Sequence, residues 1–286
     1  MADRTGARPA AVGSVTVGSV VVGGEVAGPD GERPATKLRL FGFHHAGGAP
    51  AAFTGWQRAL GPAVEVVPVT LPGRGARGWS RRHEDLPALA EAVARELGPR
   101  LAAPHVFYGH SMGALVAHRL ALLRAARGLR LPERLLVGAA AAPHLGRGTA
   151  RAHGLADAEL ADWLVGLSAR PGAVAAHFED TDRLPGVLAL LREDLRLCTT
   201  AGPGGPARPV PLPCPIDVFA GERDPLVPVR DAARWSSYSS SEDCTLRVIA
   251  GGHFFPRESR EPFFRALRSA LPDLRSTAES EQLHGH

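Results

Sequence analysis

The stretch Tyr108-Gly109-His110-Ser111-Met112-Gly113-Ala114 constrains this chain more than any other. An apolar run with two β-formers, His105 to Tyr108, leads into it. A helix-forming run rich in Ala, Leu and Arg, Leu115 to Arg127, leads out of it. The pattern is G-x-S-x-G between a strand and a helix. A serine at so sharp a turn sits in a strained backbone conformation with its hydroxyl exposed. Glycines two before and two after leave room for the neighbouring strand and helix. The following helix aims its free N–H groups and positive dipole end at the place where an oxyanion would form. A bare G-x-S-x-G also occurs in ordinary glycine-rich turns, so its weight comes from these flanks and from partners later in the chain.

Around this turn the chain alternates short apolar runs with amphipathic ones. Leu38 to Phe43 suits a buried parallel strand and ends in the glycine-rich loop His44-His45-Ala46-Gly47-Gly48-Ala49-Pro50. Phe53 to Leu60 reads as a helix. Val64 to Leu71 reads as a second strand, closed by the turn Pro72-Gly73-Arg74-Gly75. Leu86 to Leu97 has helical spacing, and Arg134 to Ala141 reads as a strand after the serine's helix. Strands alternating with helices predict an α/β fold, a mostly parallel central sheet with helices on both faces.

The alternation stops between Leu145 and Arg208. Ala156 to Leu167 is an amphipathic helix whose first turn carries Asp157 and Glu159, as the helix dipole favours. Val174 to Phe178 suits one short turn of helix, and Leu184 to Thr199 another full helix, with Pro185 tolerated in its first turn. A helical insertion over 145–208 is expected to act as a lid that gates access and supplies an apolar wall for a substrate chain, against the plainer reading of a packing subdomain. Strands resume at Pro215 to Ala220 and at Thr245 to Ala250.

Each of these late strands ends in a polar candidate, Asp224 after the first and His253 in a Gly-Gly-His turn after the second. Sites in open parallel sheets assemble at that edge. Ser111, then Asp224, then His253 is the chain order of the α/β-hydrolase triad. A serine hydroxyl needs a base to take its proton. His253 would take it and return it to the leaving group, and Asp224 would hold the imidazole in the useful tautomer. Among rival acids, Asp217 lies inside a strand, Asp231 sits in the next helix, and Glu222 shares the loop and competes most directly. Among rival bases, His110 would point away from the serine, His118 lies on the following helix, and His44 and His45 sit in the early glycine loop. The oxyanion hole would use two backbone N–H groups, that of Met112 and one from the glycine loop, placed at Ala46 where Gly47 and Gly48 let the chain come close.

Composition narrows the function classes. The chain has 286 residues and a formal net charge of +4, carried almost wholly by dispersed arginines without interleaved aromatics, which gives nucleic-acid binding little support. A mildly basic surface suits an acidic protein partner. Cys198, Cys214 and Cys244 are odd in number and show no C-x-x-C spacing, against a disulfide framework or a zinc site and in keeping with a cytoplasmic setting. No run approaches the ~18–20 apolar residues of a membrane helix. Residues 1–35 read as a disordered, low-complexity tail, within which Ser14 to Val22 alternates enough for an added edge strand. Residues 36–275 form the catalytic domain and 276–286 a flexible end whose His284 and His286 read as solvated. No cofactor, no metal and a monomer are expected.

The segments LFGFHHAGG, TLPGRG, GHSMGALVAHRLA, FAGERDPLVP and GGHFF occur in that order, together with LADAELADWLVGL and LLREDLRLCTT in the insertion. From about Leu38 to about Leu271 the chain resembles the type II thioesterases of polyketide and nonribosomal peptide assembly lines. The resemblance implies an α/β-hydrolase fold with a helical lid. It implies hydrolysis of acyl thioesters carried on the phosphopantetheine arm of acyl or peptidyl carrier proteins, as an editing step. It also implies a triad at Ser111, Asp224 and His253 with oxyanion amides at Ala46 and Met112. His44 departs from the family, which commonly has Pro before His-Ala-Gly-Gly. A product-releasing thioesterase, or a carboxylesterase or lipase on free esters, are the alternative expectations. Arg74, Arg77, Arg81 and Arg82, after the second strand, are candidates for carrier docking, against the plainer reading of a solvated loop.

Overall fold

The computed structural model describes residues 37–72, 74, 83–145, 152–169, 184–201 and 209–272. The expectations for the N-terminal tail, the turn at Val174 to Phe178, Arg77, Arg81, Arg82 and the last residues lie outside them.

Six parallel strands form one sheet in the order β2-β1-β3-β4-β5-β6. They are β1 (Leu38–Phe43), β2 (Val64–Pro68), β3 (His105–His110), β4 (Arg134–Gly138), β5 (Ile216–Gly221) and β6 (Cys244–Ile249). The helices are α1 (Trp56–Leu60), α2 (Leu86–Leu97), α3 (Met112–Ala126), α4 (Asp157–Gly166), α5 (Leu184–Thr199), α6 (Val229–Ala232), α7 (Phe255–Glu258) and α8 (Arg260–Ala270). This is the α/β-hydrolase architecture. The helices α4 and α5 lie between β4 and β5, where the alternation in the sequence breaks off. None of the described helices is long and apolar enough to cross a membrane.

Both faces of the sheet are buried, so the strands read as nearly continuous apolar runs. Phe41, Phe43, Phe107, Leu135 and Val218 pack on one face with α2, α3 and α5. Their strand neighbours Leu40, Val106, Tyr108, Leu136 and Phe219 pack on the other with α1 and α8. On that second face Trp56 meets Phe53, Tyr108, Phe263 and Phe264 at ring separations of 4.9–5.3 Å. Such ring pairs add about 0.5–1.5 kcal/mol each beyond the area they bury.

Several boundaries differ from the sequence reading. The expected helix over Phe53 to Leu60 is split: a 3-10 turn spans Pro50–Phe53, and α1 starts only after Gly55, whose φ of 77° interrupts helical geometry. The second strand ends at Pro68 rather than Leu71, with Gly42–Pro68 its last pair with β1. The fourth strand ends at Gly138 rather than Ala141. The serine's helix starts at Met112, with no linker after the turn.

Candidate active site

The sheet turns back on itself between β1 and β3: β2 lies on one side of β1, and β3 to β6 continue on the other. The carboxyl ends of strands at such a switch point leave a crevice. The glycine loop follows β1 and Ser111 follows β3. Asp224 and His253 follow β5 and β6 at the same end of the sheet.

Ser111 has φ 55° and ψ −118°, one of two non-glycine residues with positive φ among the described residues. Its own N–H donates to Gly138 O at 2.8 Å, tying the turn to β4. The two glycines hold this conformation by what they lack. A Cβ on Gly109 would lie 2.3 Å from Gly113 O, and one on Gly113 would lie 2.1 Å from Phe43 O. Strand, turn and helix therefore pack backbone on backbone, which leaves the serine at the apex.

His253 is 2% exposed, and its Nδ1–H donates to Asp224 Oδ2 at 2.8 Å. That bond leaves Nε2 as the basic nitrogen. Asp224 is aimed by its other oxygen, Oδ1, which accepts the N–H groups of Leu226 at 2.9 Å and Val227 at 3.1 Å. The histidine's backbone is held as firmly. His253 N–H donates to Leu167 O, just beyond α4, at 2.9 Å, and His253 O accepts from His110 Nε2 at 2.9 Å. Tyr108 OH meets the opposite nitrogen, His110 Nδ1, at 3.1 Å. Burial, with the nearby His253 and His45, holds His110 well below the usual histidine range, so it remains a neutral donor.

The rivals fall elsewhere. Asp217 is fully buried inside β5 and ion-paired to Arg134 of β4 and Arg247 of β6, which occupies both its oxygens. Glu222 shares the loop with Asp224, but its side chain is 58% exposed and faces Arg223 at 3.8 Å. Asp231 lies in α6. His118 is buried on α3 against Trp235 and Tyr238.

Ala46 and Met112 are both buried, Met112 as the first residue of α3. Around Ala46 the loop is braced by its own histidines. His44 Nδ1 donates to His45 O at 2.9 Å, and His45 Nδ1 donates to Ala46 O at 3.0 Å. Thus His44 stiffens the loop through its ring. Burial first, and then the Arg74 charge, push His44 down to about 3. Burial likewise pushes His45 down to about 4. Both are neutral at pH 7.

Ser111, His253 and Ala46 line one cavity, together with Trp163, Leu164 and Leu167 at α4 and Leu191, Leu195 and Cys198 of α5. It measures about 20 Å³, room for roughly one water. Burial pushes the Cys198 thiol far up, so it serves as an apolar wall.

One sequence expectation is corrected here. Arg74 is neither a docking arginine nor a solvated one. It is 5% exposed, ion-paired to Asp194 of α5, and bonded to Gly48 O at 3.1 Å and Pro72 O at 2.5 Å. Asp194 lies in the LLREDLRLCTT segment, and local pattern assigns it no role. Its signal was an acidic residue within the otherwise apolar face of a helix.

A model of the thioesterase domain matches residues 38–271 of this chain. The chain belongs to the thioesterase family. As a thioesterase it is a serine hydrolase acting on thioesters. It is 34% identical to the thioesterase PikA5 of Streptomyces venezuelae over 78% of this chain and 76% of that one. Among solved structures it is similar to RedJ, a thioesterase from the prodiginine biosynthetic pathway of Streptomyces coelicolor, with 35% identity, a TM-score of 0.71 and coverage of 83% and 87%. It is also similar to BorB, the type II thioesterase from the borrelidin biosynthetic cluster, with 31% identity, a TM-score of 0.71 and coverage of 82% and 93%.

Proposed function

We propose that this thioesterase is a type II, editing enzyme that clears stalled or wrongly loaded acyl groups from the phosphopantetheine arm of acyl or peptidyl carrier proteins in polyketide or nonribosomal peptide biosynthesis. The observation that carries this reading is a histidine bonded to a carboxylate, sharing with a strained serine a cavity roofed by the leucines of an inserted helical pair. The biosynthetic origins of RedJ and BorB support the assembly-line setting.

In the proposed mechanism His253 Nε2 takes the Ser111 proton as Oγ attacks the thioester carbonyl. The oxyanion is held by the N–H groups of Met112 and Ala46. As the C–S bond breaks, His253 returns the proton to the departing pantetheine sulfur, which leaves the acyl group on Ser111. Water, deprotonated by His253, then attacks this ester. The free acid leaves and the Ser111 hydroxyl is restored. No bound metal or redox group is required by these steps. The helices α4 and α5, which line the cavity beside Ser111, act as a lid over the acyl chain.

Mass spectrometry of acylated carrier protein incubated with enzyme tests the proposal. Ser111→Ala is expected to lower the rate of acyl release by roughly 10⁴–10⁶-fold. Release at the wild-type rate would sink the mechanism. Faster cleavage of small oxoesters than of carrier-bound thioesters would make the enzyme a carboxylesterase instead.

A further inference from the structure

The candidate oxyanion loop is held from outside itself by a single carboxylate. Asp194, halfway along α5 and 2% exposed, accepts the N–H of Gly47 on Oδ2 at 2.7 Å. The same oxygen accepts from the Arg74 guanidinium, and Arg74 in turn holds Gly48 O. Leu191 of α5 lies against Gly47 as well, 3.1 Å from where a Cβ would stand. The loop after β1, the Pro72–Arg74 turn and α5 thus meet at one buried charge.

The consequence for Ala46 follows from peptide geometry. In a trans peptide the C=O and N–H point in opposite directions, so fixing one aims the other. The plane that carries the Ala46 N–H is fixed through His45 O, which accepts from Gly48 N–H at 3.0 Å and from His44 Nδ1 at 2.9 Å. The next plane is fixed at both ends, through Ala46 O by His45 Nδ1 and through Gly47 N–H by Asp194. Gly47 has φ 69°, so without a side chain and without the Asp194 bond this second plane can rotate and take Ala46 with it.

We propose that Asp194 is a positioning residue that aims the Ala46 N–H at the oxyanion, and that the oxyanion hole is complete only while α5 is seated on the glycine loop. This rests on the reading of Ser111 as nucleophile and Ala46 as oxyanion donor. Displacing α5 to admit substrate breaks the Gly47–Asp194 bond, so hydrolysis waits until the helix has closed over the acyl chain. A misplaced oxyanion donor weakens the transition state and leaves ground-state binding nearly untouched.

The test uses Arg74→Met/Asp194→Leu, which replaces the buried pair with apolar side chains of similar size and so keeps stability while removing the acceptor for Gly47. An alkylboronic acid, which forms a tetrahedral adduct on a nucleophilic serine, serves as the probe. The double variant is expected to melt within a few degrees of wild type, with kcat down ~100-fold, KM within about twofold and boronate affinity reduced by the same factor as kcat. Recovery of kcat along with the melting temperature would overturn the proposal. So would a loss confined to KM with unchanged boronate affinity. If the double variant does not fold, Arg74→Gln/Asp194→Leu decides. It also removes the acceptor for Gly47 while keeping a polar group near Gly48 O, and a kcat fall of at least about tenfold at constant KM supports the proposal, whereas wild-type kcat refutes it. If wild type binds no boronate, or Ser111→Ala hydrolyses normally, the underlying site reading has failed. If both controls behave and only the Asp194 variants match wild type, the failure belongs to this inference alone.

Discussion

At the residue scale, the serine's geometry depends on two missing side chains. A Cβ on Gly113 would collide with the carbonyl oxygen of Phe43, a backbone atom that cannot swing aside. Gly113→Ala is therefore expected to push α3 off β1, with a melting temperature lowered by several degrees and hydrolysis reduced by at least about tenfold. Thermal unfolding together with a thioester assay reads both, and an unperturbed variant would refute the close-packing account. This crowding was legible beforehand, because G-x-S-x-G needs its glycines wherever a strand, a turn and a helix meet. The position of Asp224 after a strand end was legible in the same way. That its Oδ1 takes the N–H groups of Leu226 and Val227 was not, and came from the structure. The fate of Arg74 was not legible. Between Gly73 and Gly75 it looks like a charge on a turn. Its burial comes from Asp194, which lies 120 positions away.

At the element scale, the end of α4 is coupled to the histidine loop by Glu258 of α7. One of its oxygens accepts Ser168 Oγ at 2.7 Å and Ala169 N–H at 2.9 Å, and the other accepts Gly252 N–H at 2.6 Å. Next to this cluster His253 N–H donates to Leu167 O. Glu258→Ala should cost about 2–3 kcal/mol in a urea titration, since hydrogen bonds to a charged group are the strong ones. The same variant should lower kcat more than KM is changed if His253 is the base as proposed, because its loop loses its tie to α4. A variant as stable and as active as wild type would contradict that coupling. The sequence located α5 to the residue, Leu184–Thr199, because leucines recur along it at helical spacing. It missed the break at Gly55 and overran β2. A strand ends where its pairing ends, here at Gly42–Pro68, and that is a property of both strands.

At the scale of the whole molecule, the core holds neutral histidines. His44, His105 and His118 are 5% exposed or less, and burial pushes them down to about 3, 4 and 3 respectively. Unfolding returns each to about 6.5. Between those values the unfolded chain binds protons that the folded chain refuses, so stability rises with pH through this window. It is fully present above about pH 7 and is lost as the pH falls from about 6.5 toward 4. Each such histidine should remove about 2 kcal/mol between pH 7.5 and pH 5. Chemical denaturation at the two pH values measures the total. His118→Phe, which keeps a ring against Trp235 and Tyr238, should lessen the difference by about one such share. An unchanged difference would remove His118 from the account.

The sequence by itself determined the α/β class, the position of the helical insertion and the placing of Ser111, Asp224 and His253 after successive strands. These are local matters, set by hydrophobic period, by glycine at tight turns and by which residues end a strand. Only the tertiary structure decided that Arg74 is buried, that Asp194 grips the glycine loop and that Glu258 ties the end of α4 to the His253 turn. Each depends on side chains far apart in the chain meeting where water is excluded, and no local pattern records which distant charge will be there. The serine's turn was written into a few neighbouring residues, whereas the hold on the loop opposite it required the whole fold.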